Sequence, residues 1–469
     1  MVAGNGQAAR NGKAAGNGQA ARNGQAARTA GPQTAPAANG PAASRVPLRG
    51  DKLGSAMTRR SILKTALLGT PAGLLADTPA DDRPPGHGKP IKITKVEAIH
   101  LEKPLKERFW MANSPIGGYQ PKASRLIVTL HTDAGISGTG EGSGGGANIL
   151  RKGFAELVIG EDPFMVGKIW EKMFAVTYGR EPSSRGWSQS EVIGAMAPID
   201  AAIYDIMAKA TGLPVYKFLG GYRNTVPVYV TGGYYREGKG VNELVEEIRG
   251  YVGQGFNAIK LKVGGISGGF SVDDDYNRVK AVRQAVGPAV MLMLDANQGW
   301  DVPTAIRASN KMYDLDIAWL EEPLHWYDDV EPLKQVKLNT RIPLASGEHE
   351  LTRWGARRLM ETGAIDVMQF DCNAHAGITE WRKVAGMASM SYIKMAPHHE
   401  PVLHGHLLAS IPNGYILESF ANPDRDPFWF ELYDRKPRIE KSVLYLDDTP
   451  GFGVEFNQKA LREYGTKVL

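Results

Sequence analysis

Residues 258–297 read AIKLKVGGISGGFSVDDDYNRVKAVRQAVGPAVMLMLDAN, with two short apolar runs around one longer amphipathic segment. The runs, Ala258–Val263 and Val290–Leu294, have the length and composition of buried strands. The segment between them has the length of a helix. Strand, helix and strand in this order form the repeating unit of folds with a parallel sheet, so this stretch predicts an α/β fold.

The same alternation of short apolar runs and helix-length segments extends from about residue 226 to residue 417. Eight such runs predict a parallel (β/α) barrel with irregular units at its ends. A doubly wound sheet shares this rhythm locally, so the position of the charged residues must separate the two folds. The eight runs are Val226–Thr231, Ala258–Val263, Val290–Leu294, Ile317–Leu320, Ile342–Ala345, Val367–Phe370, Ile393–Met395 and Tyr415–Leu417.

Ionisable residues close seven of the eight runs. In a barrel the carboxyl ends of all strands lie at one face and converge on the axis, where such proteins hold their sites. A single carboxylate at a strand end is commonly a loop or surface group, but that explanation does not extend to a whole set. We therefore predict one shared site. Its candidate residues are Lys260, Lys262, Asp295, Asn297, Glu321, Glu348, Asp371, His398 and Glu418.

Three of these residues are carboxylates that end consecutive predicted strands. Asp295, Glu321 and Glu348 are spaced 26 and 27 residues apart, which is close to one β/α unit each. Three negative groups that meet inside a barrel repel one another unless a cation neutralises them. Oxygen ligands favour Mg²⁺ over Zn²⁺, with Mn²⁺ as an alternative. The trio therefore predicts a magnesium site.

The candidate residues also occur in a specific order: a Lys-x-Lys pair, the Asp/Glu/Glu trio, an Asp and then a His on the next two strands, and a final Glu. This ordered set resembles the mandelate racemase subgroup of the enolase superfamily, over about residues 91–469. The segment Ala201–Pro214, with Leu219-Gly-Gly after it, resembles the domain junction of that family. The resemblance implies an α+β N-terminal capping domain that closes over a modified TIM (β/α) barrel.

The same resemblance implies which residues act as bases. Lys262 matches a base on one face of the substrate, and His398 matches the acid/base on the opposite face, with Asp371 as its partner. The adjacent Lys260 and a nearby metal are expected to lower the pKa of Lys262 towards neutrality. His399 competes with His398 for this role, and only the family spacing of 27 residues from Asp371 favours His398.

Other residues are implied to contact the substrate. Lys260 matches a lysine that helps to neutralise the substrate carboxylate, and Glu418 matches a group that hydrogen-bonds this carboxylate as the enediolate forms. Asn297 resembles a substrate contact or a residue behind the metal ligands. Tyr119 and Lys122 lie in or beside a loop that the resemblance assigns to the lid, so they are candidate substrate-binding residues.

Two reactions share this apparatus, and both begin with removal of the proton α to a carboxylate. A dehydratase expels the β-hydroxyl of an acid sugar, an aldonate or aldarate, and gives a 2-keto-3-deoxy acid. A racemase or epimerase moves the proton between the two faces of a 2-hydroxy acid. The subgroup is dominated by acid-sugar dehydratases, so a hydro-lyase is the first expectation. An exported sugar-acid binding protein that lost the chemistry is a third interpretation.

The first 90 residues differ in character from the rest of the chain. Residues 1–56 include four tandem hexapeptides, three of them NGQAAR, and are too poor in large apolar side chains to fold. We expect a disordered tail, with a nucleic-acid-binding arm or a true start at Met57 as alternatives. Residues 57–80 combine a paired arginine with a short apolar stretch, which is typical of a twin-arginine export signal and predicts a periplasmic location. A cytoplasmic location would follow if this leader is not functional.

These features divide the chain into six predicted parts. Residues 81–90 form a linker after the signal, 91–220 the capping domain, 221–440 the barrel, and 441–469 a C-terminal segment that returns to the capping domain. The single cysteine, Cys372, excludes an intrachain disulfide. In the mature region no apolar run is long enough to serve as a membrane anchor.

Charge distribution argues against a nucleic-acid partner. The 469 residues carry a formal net charge of +5, but the first 90 hold twelve of the 55 basic and only four of the 50 acidic side chains. The remaining chain is slightly acidic and lacks the bulk basic charge of nucleic-acid-binding proteins. We expect a small-molecule carboxylate as the partner and a homo-oligomeric assembly.

Overall fold

The computed structural model describes residues 90–112, 121–178, 186–328 and 330–469. The repeat tail, the twin-arginine segment and nearly all of the predicted linker lie outside the described residues, and so does Tyr119. In the described part of the chain no helix is both long enough and apolar enough to cross a bilayer.

Strands and helices alternate through most of the chain. The strands are β1 (Ile93–Pro104), β2 (Lys122–Thr132), β3 (Ser137–Gly142), β4 (Thr225–Gly232), β5 (Ala258–Lys262), β6 (Met291–Asp295), β7 (Ile317–Glu321), β8 (Leu344–Ser346), β9 (Val367–Met368), β10 (Lys394–Met395), β11 (Leu417–Ser419), β12 (Tyr433–Arg435), β13 (Arg438–Glu440), β14 (Val443–Tyr445), β15 (Glu455–Phe456) and β16 (Gly465–Lys467). The α-helices are α1 (Ala147–Arg151), α2 (Val166–Phe174), α3 (Gln189–Ala210), α4 (Val215–Phe218), α5 (Val241–Gly253), α6 (Val272–Val286), α7 (Val302–Met312), α8 (Val330–Leu338), α9 (Arg353–Glu361), α10 (Ile378–Met390), α11 (Pro401–Ala409), α12 (Pro427–Glu431) and α13 (Gln458–Tyr464).

The first three strands and the last form an antiparallel sheet in the order β16-β1-β2-β3. Helix α3 packs against β3, and glycines in the strand permit its close approach. A Cβ atom on Gly138 would lie 2.2 Å from the carbonyl oxygen of Ala202, and one on Gly140 would lie 2.0 Å from that of Pro198. This sheet and its helices form the α+β cap that the resemblance implied.

Eight parallel strands form the barrel, in the order β4-β5-β6-β7-β8-β9-β10, with β11 on the other side of β4. The ring closes between β10 and the residues before β11, where the backbone N–H of Tyr415 donates to the carbonyl of Met395 at 2.8 Å. Helices α5 to α11 connect the strands, one in each gap. All eight predicted apolar runs overlap these strands, so the predicted modified (β/α) barrel is confirmed.

Alternation of side chains along the strands explains the Lys-x-Lys pair. Ile259 and Leu261 of β5 pack into the core between strands and helices, whereas Lys260 and Lys262 contact carboxylates of other strands near the barrel axis. Apolar and aromatic side chains fill the barrel below them. This lower layer consists of Tyr229, Ala258, Met293, Trp319, Ala345, Val367, Ala396 and Ile416.

The chain after β11 contacts both the barrel and the cap. Strand β14 pairs antiparallel with β4, with Leu444 opposite Val226. Strand β16 pairs with β1, with Lys467 opposite Ile99. The resemblance implied only a return to the cap, and the structure adds an antiparallel strand at the barrel.

A buried ion-pair network joins the cap to the barrel. Arg125 on β2 is buried, and its guanidinium lies 2.9 Å from a carboxylate oxygen of Glu141 and 2.9 Å from one of Glu400. A carboxylate oxygen of Asp426 lies 3.7 Å away, and the Tyr433 hydroxyl lies 3.1 Å away. Glu141 belongs to β3 of the cap, whereas Glu400 and Asp426 follow barrel strands. The guanidinium of Arg125 therefore links a carboxylate of the cap to carboxylates of the barrel.

We predict that Arg125→Met lowers the free energy of unfolding by about 3–5 kcal/mol, because the variant leaves buried carboxylates without their cation. The matched control is Arg435→Met. Arg435 pairs with Glu455 at 3.4 Å near the surface, and loss of such a pair should cost less than about 1 kcal/mol. Urea unfolding followed by circular dichroism measures both changes. Equal, small losses for the two variants would show that the Arg125 network does not stabilise the fold.

Candidate active site

Lys260 lies at the centre of the polar cluster at the carboxyl ends of the barrel strands. Its Nζ atom lies 2.6 Å from Oε1 of Glu321, 3.0 Å from Oε1 of Glu418 and 3.8 Å from Oδ2 of Asp295. All four side chains are buried. Burial lowers the pKa of Lys260, but the carboxylates more than offset this and hold it well above its ordinary value. Lys260 is therefore a fixed positive charge.

Lys262 contacts the next carboxylate along the sheet. Its Nζ atom donates a hydrogen bond to Oδ2 of Asp295 and lies 5.2 Å from the centre of the Tyr234 ring. Burial is the largest effect and lowers the pKa of Lys262. Asp295, together with smaller contributions from Tyr234 and Glu321, outweighs burial and the repulsion from Lys260, so the pKa lies above its ordinary value. The predicted fall in this pKa rested on a bound metal as well as on Lys260, and it stays a prediction. It did not count the carboxylate directly opposite Lys262 in the register of β5 and β6.

The three predicted metal ligands lie at the same end of the barrel. Asp295 and Glu321 are register partners on β6 and β7, and Glu348 follows β8. Two further residues join Glu348: ligand atoms of Glu322, Glu348 and His349 all lie within 4.8 Å of one another. His349 Nε2 lies 3.5 Å from an oxygen of each of these glutamates.

This end of the barrel holds an excess of negative charge that fits a divalent cation. Burial raises the pKa of Glu321 well above its ordinary value, and Asp295 and Glu348 add to the rise against the opposing effect of Lys260. Burial and Glu348 likewise raise the pKa of Glu322 to about 7. Such oxygen donors are the ligands that Mg²⁺ prefers, so the residues present fit this metal.

His398 follows β10 and pairs with Asp371, which follows β9. Nδ1 of His398 lies 3.0 Å from Oδ2 of Asp371, and Oδ1 of Asp371 accepts from the backbone N–H of Asn373 at 2.8 Å. Burial lowers the pKa of His398, but Glu348 and Asp371 raise it well above its ordinary value. Because Nδ1 is held by Asp371, Nε2 is the atom left for proton exchange.

The neighbouring His399 has a different partner. Its Nε2 atom lies 3.0 Å from Oδ2 of Asp426, and its backbone N–H donates to Oε2 of Glu418 at 3.1 Å. Sequence reasoning could separate the two histidines only by family spacing. The geometry pairs His398, and not His399, with Asp371.

Glu418 lies in β11 and faces the same cluster. Its Oε1 atom accepts from the Thr231 hydroxyl at 2.5 Å and lies 3.0 Å from Nζ of Lys260. Burial raises the pKa of Glu418, but Lys260 and His398 hold it well below its usual range. Glu418 therefore stays ionised.

Left-handed backbone conformations occur where the strands reach the site. Asn297, Glu322, His399 and Glu400 have φ angles of 37°, 37°, 44° and 51°. Non-glycine residues adopt this region only where the surroundings impose it. The backbone N–H of Asn297 donates to Oδ1 of Asp295 at 2.9 Å, which holds one of these turns. The Asn297 side-chain oxygen is buried and has no hydrogen-bond partner among the described residues, as expected of a group that contacts a ligand.

A cavity of about 270 Å³ opens beside the His398–Asp371 pair. Barrel residues form one side of it and residues of the cap form the other. Besides the pair itself, its lining includes Asn373, Arg425, Ser124 and Ser143. The cavity therefore adjoins His398, the base predicted for one face of the substrate.

Lys122 does not line this cavity, and its contact with the substrate stays a prediction. Lys122 lies at the start of β2, where its ammonium group pairs with Glu102 of the neighbouring β1. Its side chain is 49% exposed. The two residues after it, Ala123 and Ser124, line the cavity instead.

Cys372, His404 and His406 are buried and contact other protein groups, and His404 Nε2 also lies 3.6 Å from Oδ1 of Asp371. Burial raises the pKa of the Cys372 thiol well above its ordinary value, and its Sγ atom lies 3.3 Å from Nε2 of His404. His404 Nδ1 lies 2.6 Å from the backbone oxygen of His399. His406 Nε2 lies 3.2 Å from the backbone oxygen of Phe452.

Sequence reasoning missed four residues of the site. Glu322 and His349 each directly follow a predicted ligand, so their adjacency was an available signal. Arg125 and Arg425 carry no such signal, because their contacts come from segments distant in the chain.

The chain matches two domains of one family. Residues 106–220 match the N-terminal domain of mandelate racemase / muconate lactonizing enzyme. Residues 243–460 match the enolase C-terminal domain-like family. The two matches cover the cap and the barrel in that order.

Individual relatives agree with these matches. The chain is 29% identical to arabinonate dehydratase of Saccharolobus solfataricus over 371 residues, which cover 75% of this chain and 94% of that protein. It is 31% identical to L-talarate/galactarate dehydratase of Salmonella typhimurium over 346 residues, which cover 72% of this chain and 81% of that protein. A crystal structure of a mandelate racemase/muconate lactonizing enzyme from a marine actinobacterium in complex with magnesium superposes with a TM-score of 0.71 at 33% identity, covering 80% of this chain and 99% of that one. With its cap, its barrel and its ordered set of polar strand ends, this chain belongs to the mandelate racemase/muconate lactonizing enzyme family of the enolase superfamily.

Proposed function

We propose that this chain is a magnesium-dependent acid-sugar dehydratase, a hydro-lyase that converts an aldonate or aldarate into a 2-keto-3-deoxy acid. The observation that carries the proposal is the placement of Lys262 and the His398–Asp371 pair around the charged end of one barrel. The names of relatives, among them arabinonate dehydratase and L-talarate/galactarate dehydratase, support the same reaction class.

Three carboxylates of this chain are proposed to hold the metal: Asp295, Glu321 and Glu348. When bound, Mg²⁺ supplies positive charge that stabilises the negative charge developing on the substrate carboxylate and offsets the charge of Asp295. Lys260 acts on the same carboxylate, because its ammonium group is buried and permanently charged. Glu418 is ionised, so it accepts hydrogen bonds from Thr231 and from the backbone N–H of His399 and holds Lys260 beside the substrate carboxylate.

Proton transfer is assigned to Lys262 and His398. Their strands, β5 and β10, are separated by two strands on one side of the ring and by four on the other. The α-carbon of a substrate held by Lys260 would lie between the two bases. One base removes the α-proton, and the imidazolium of His398 donates its proton to the departing β-hydroxyl, which leaves as water. The resulting enol takes up a proton at the third carbon and loses the proton of its 2-hydroxyl group, which gives the keto acid.

Asp371 is proposed to set the protonation of this acid. Its carboxylate accepts from Nδ1 of His398 and raises the pKa of the ring together with Glu348. A ring that stays protonated is suited to expel a hydroxyl group, which is a poor leaving group until it gains a proton.

The first prediction concerns the metal. We expect EDTA to abolish 2-keto acid formation from a panel of aldonates and aldarates, and added Mg²⁺ to restore it. The same Mg²⁺ concentration should not restore 2-keto acid formation by Asp295→Asn, because this variant lacks the negative charge of one metal ligand. Full turnover in a metal-free preparation would exclude the mechanism. Tight binding of an acid sugar with no turnover under any condition would favour a binding protein instead.

The second prediction separates the two bases. His398→Asn should lower dehydration by about 10²–10⁴-fold while Lys262 still exchanges the α-proton with D₂O. Lys262→Ala should remove the exchange that occurs on its own face. His399→Asn is the matched control and should retain both reactions better than His398→Asn. Exchange is followed by NMR, and wild-type rates in both variants would show that neither residue is a base.

We also propose that residues 57–80 direct export, on the strength of the paired arginine and the short apolar stretch after it. Replacing Arg59 and Arg60 together by lysine should leave the protein in the cytoplasm, whereas Arg83→Lys should not. Cell fractionation measures the two distributions. Equal periplasmic fractions of the two variants would count against a twin-arginine signal. The homo-oligomeric assembly is a separate expectation and stays a prediction.

A further inference from the structure

We propose that the cavity beside His398 binds the far end of the substrate, and that Arg425 within it binds a second carboxylate. The preferred substrates are then dicarboxylic acid sugars, the aldarates, and not aldonates with an uncharged far end. This inference rests on the proposed function, because it names the substrate class of the same site.

The cavity has the right neighbours for this role. Its volume is about 270 Å³, and it is bounded by His398 and Asp371 on the barrel side. Ser124 and Ser143 bound it from the cap. A substrate whose α-carbon faces His398 can extend its remaining carbons into this space.

Two arginines line the cavity, and one of them is already neutralised. The guanidinium of Arg125 has carboxylate oxygens of Glu141 and Glu400 at 2.9 Å each, and one of Asp426 at 3.7 Å. Its terminal nitrogens already donate hydrogen bonds to Glu141, Tyr433 and Glu400, which join the cap to the barrel. Arg125 therefore serves the fold and not the substrate.

Arg425 has a different environment. Its Cζ atom lies 4.2 Å from the ring centre of Phe420, 5.2 Å from that of Tyr234 and 5.3 Å from that of Phe109. No carboxylate oxygen lies within 4.0 Å of it in the part of the chain that the structure describes. Its Nε atom is buried and has no hydrogen-bond partner among the same residues. Aromatic rings pack against the faces of a guanidinium and leave donors at its edge, which match a carboxylate.

The acids whose charge acts on Arg425 are engaged elsewhere. After burial, the phenol of Tyr234 acts most strongly on Arg425, and Asp426 and Glu418 are the carboxylates whose charge acts on it. Asp426 has His399 at 3.0 Å, and Glu418 has Lys260 at 3.0 Å. Each acid therefore has a closer cation than Arg425, and the charge of Arg425 remains available to a ligand.

Asn373 supplies a second, independent feature of the same cavity. Its side chain is buried, and its Oδ1 atom has no hydrogen-bond partner among the described residues. The backbone N–H of Asn373 donates to Oδ1 of Asp371, which fixes the residue beside the acid/base pair. An acceptor in this position fits a sugar hydroxyl, which donates. A hydroxylated chain that ends in a carboxylate satisfies both Asn373 and Arg425.

An uncharged far end would satisfy only one of the two groups. An aldonate brings a hydroxyl group to Arg425, and desolvating the guanidinium without an anion is unfavourable. The expected preference for the diacid is about 10- to 100-fold in kcat/KM. It should appear mainly in KM, because the far end does not take part in bond breaking.

The test compares hexarates with hexonates of matched configuration, using full-length protein with Mg²⁺. Wild type should prefer the diacids, and Arg425→Met should raise KM for the diacid at least about tenfold and remove the preference. Arg425→Lys should retain part of it. Arg236→Met is the matched control, because Arg236 pairs with Glu107 outside this cavity. Equal kcat/KM for diacid and monoacid in wild type, unchanged by Arg425→Met, would overturn the proposal.

Binding distinguishes failure of this inference from failure of the proposed function. Calorimetric titration of the Lys262→Ala protein with each acid reports affinity without turnover. Suppose that diacids bind more tightly than monoacids, that this difference depends on Arg425, and that wild type does not dehydrate them. The carboxylate subsite would then be supported and the proposed dehydratase activity excluded. If Arg425→Met does not fold by circular dichroism, Asn373→Asp replaces it. A negative charge there should weaken diacid binding and spare the monoacid, and equal weakening of both would overturn the subsite.

Discussion

Repulsion among buried carboxylates at the mouth of the barrel is the constraint on which the rest of the site depends. Asp295 and Glu321 are register partners on adjacent strands, so the pairing that forms the barrel also brings their charges together. The ammonium group of Lys260 lies close to three carboxylates and relieves part of this repulsion. Burial and neighbouring acids nevertheless keep the pKa of Glu321 raised. A bound divalent cation would complete the neutralisation, so metal affinity and the stability of this end of the barrel are coupled.

The ring of strands and most of the candidate site were predictable because they follow from local patterns. Apolar runs at regular spacing predicted each barrel strand, and a period of two residues along β5 placed Lys260 and Lys262 together at the axis. One β/α unit between successive carboxylates then predicted that Asp295 and Glu321 lie beside them. Each step used only sequence separation and the fact that parallel strands end at a common face.

Features that depend on residues distant in the chain could not be predicted in this way. The expected fall in the pKa of Lys262 did not count Asp295, which contacts the ammonium group from 33 residues away and opposes that fall. Arg125 contacts Glu400 and Tyr433, which lie 275 and 308 residues further on. No periodicity or motif connects such residues. Whether an ionisable group is neutralised therefore becomes known only when the neighbours from every strand are in place.

The two arginines beside His398 show how partner chemistry separates stability from recognition. Arg125 is surrounded by acids, so its charge is consumed in joining the cap to the barrel. Arg425 is surrounded by aromatic rings, which shield the guanidinium from water without neutralising it. One of these rings belongs to Phe109, in the loop between β1 and β2. Contacts from this loop can therefore change which terminal group of a substrate is bound. The proposed proton transfer depends on Lys262 and His398, which the barrel strands position.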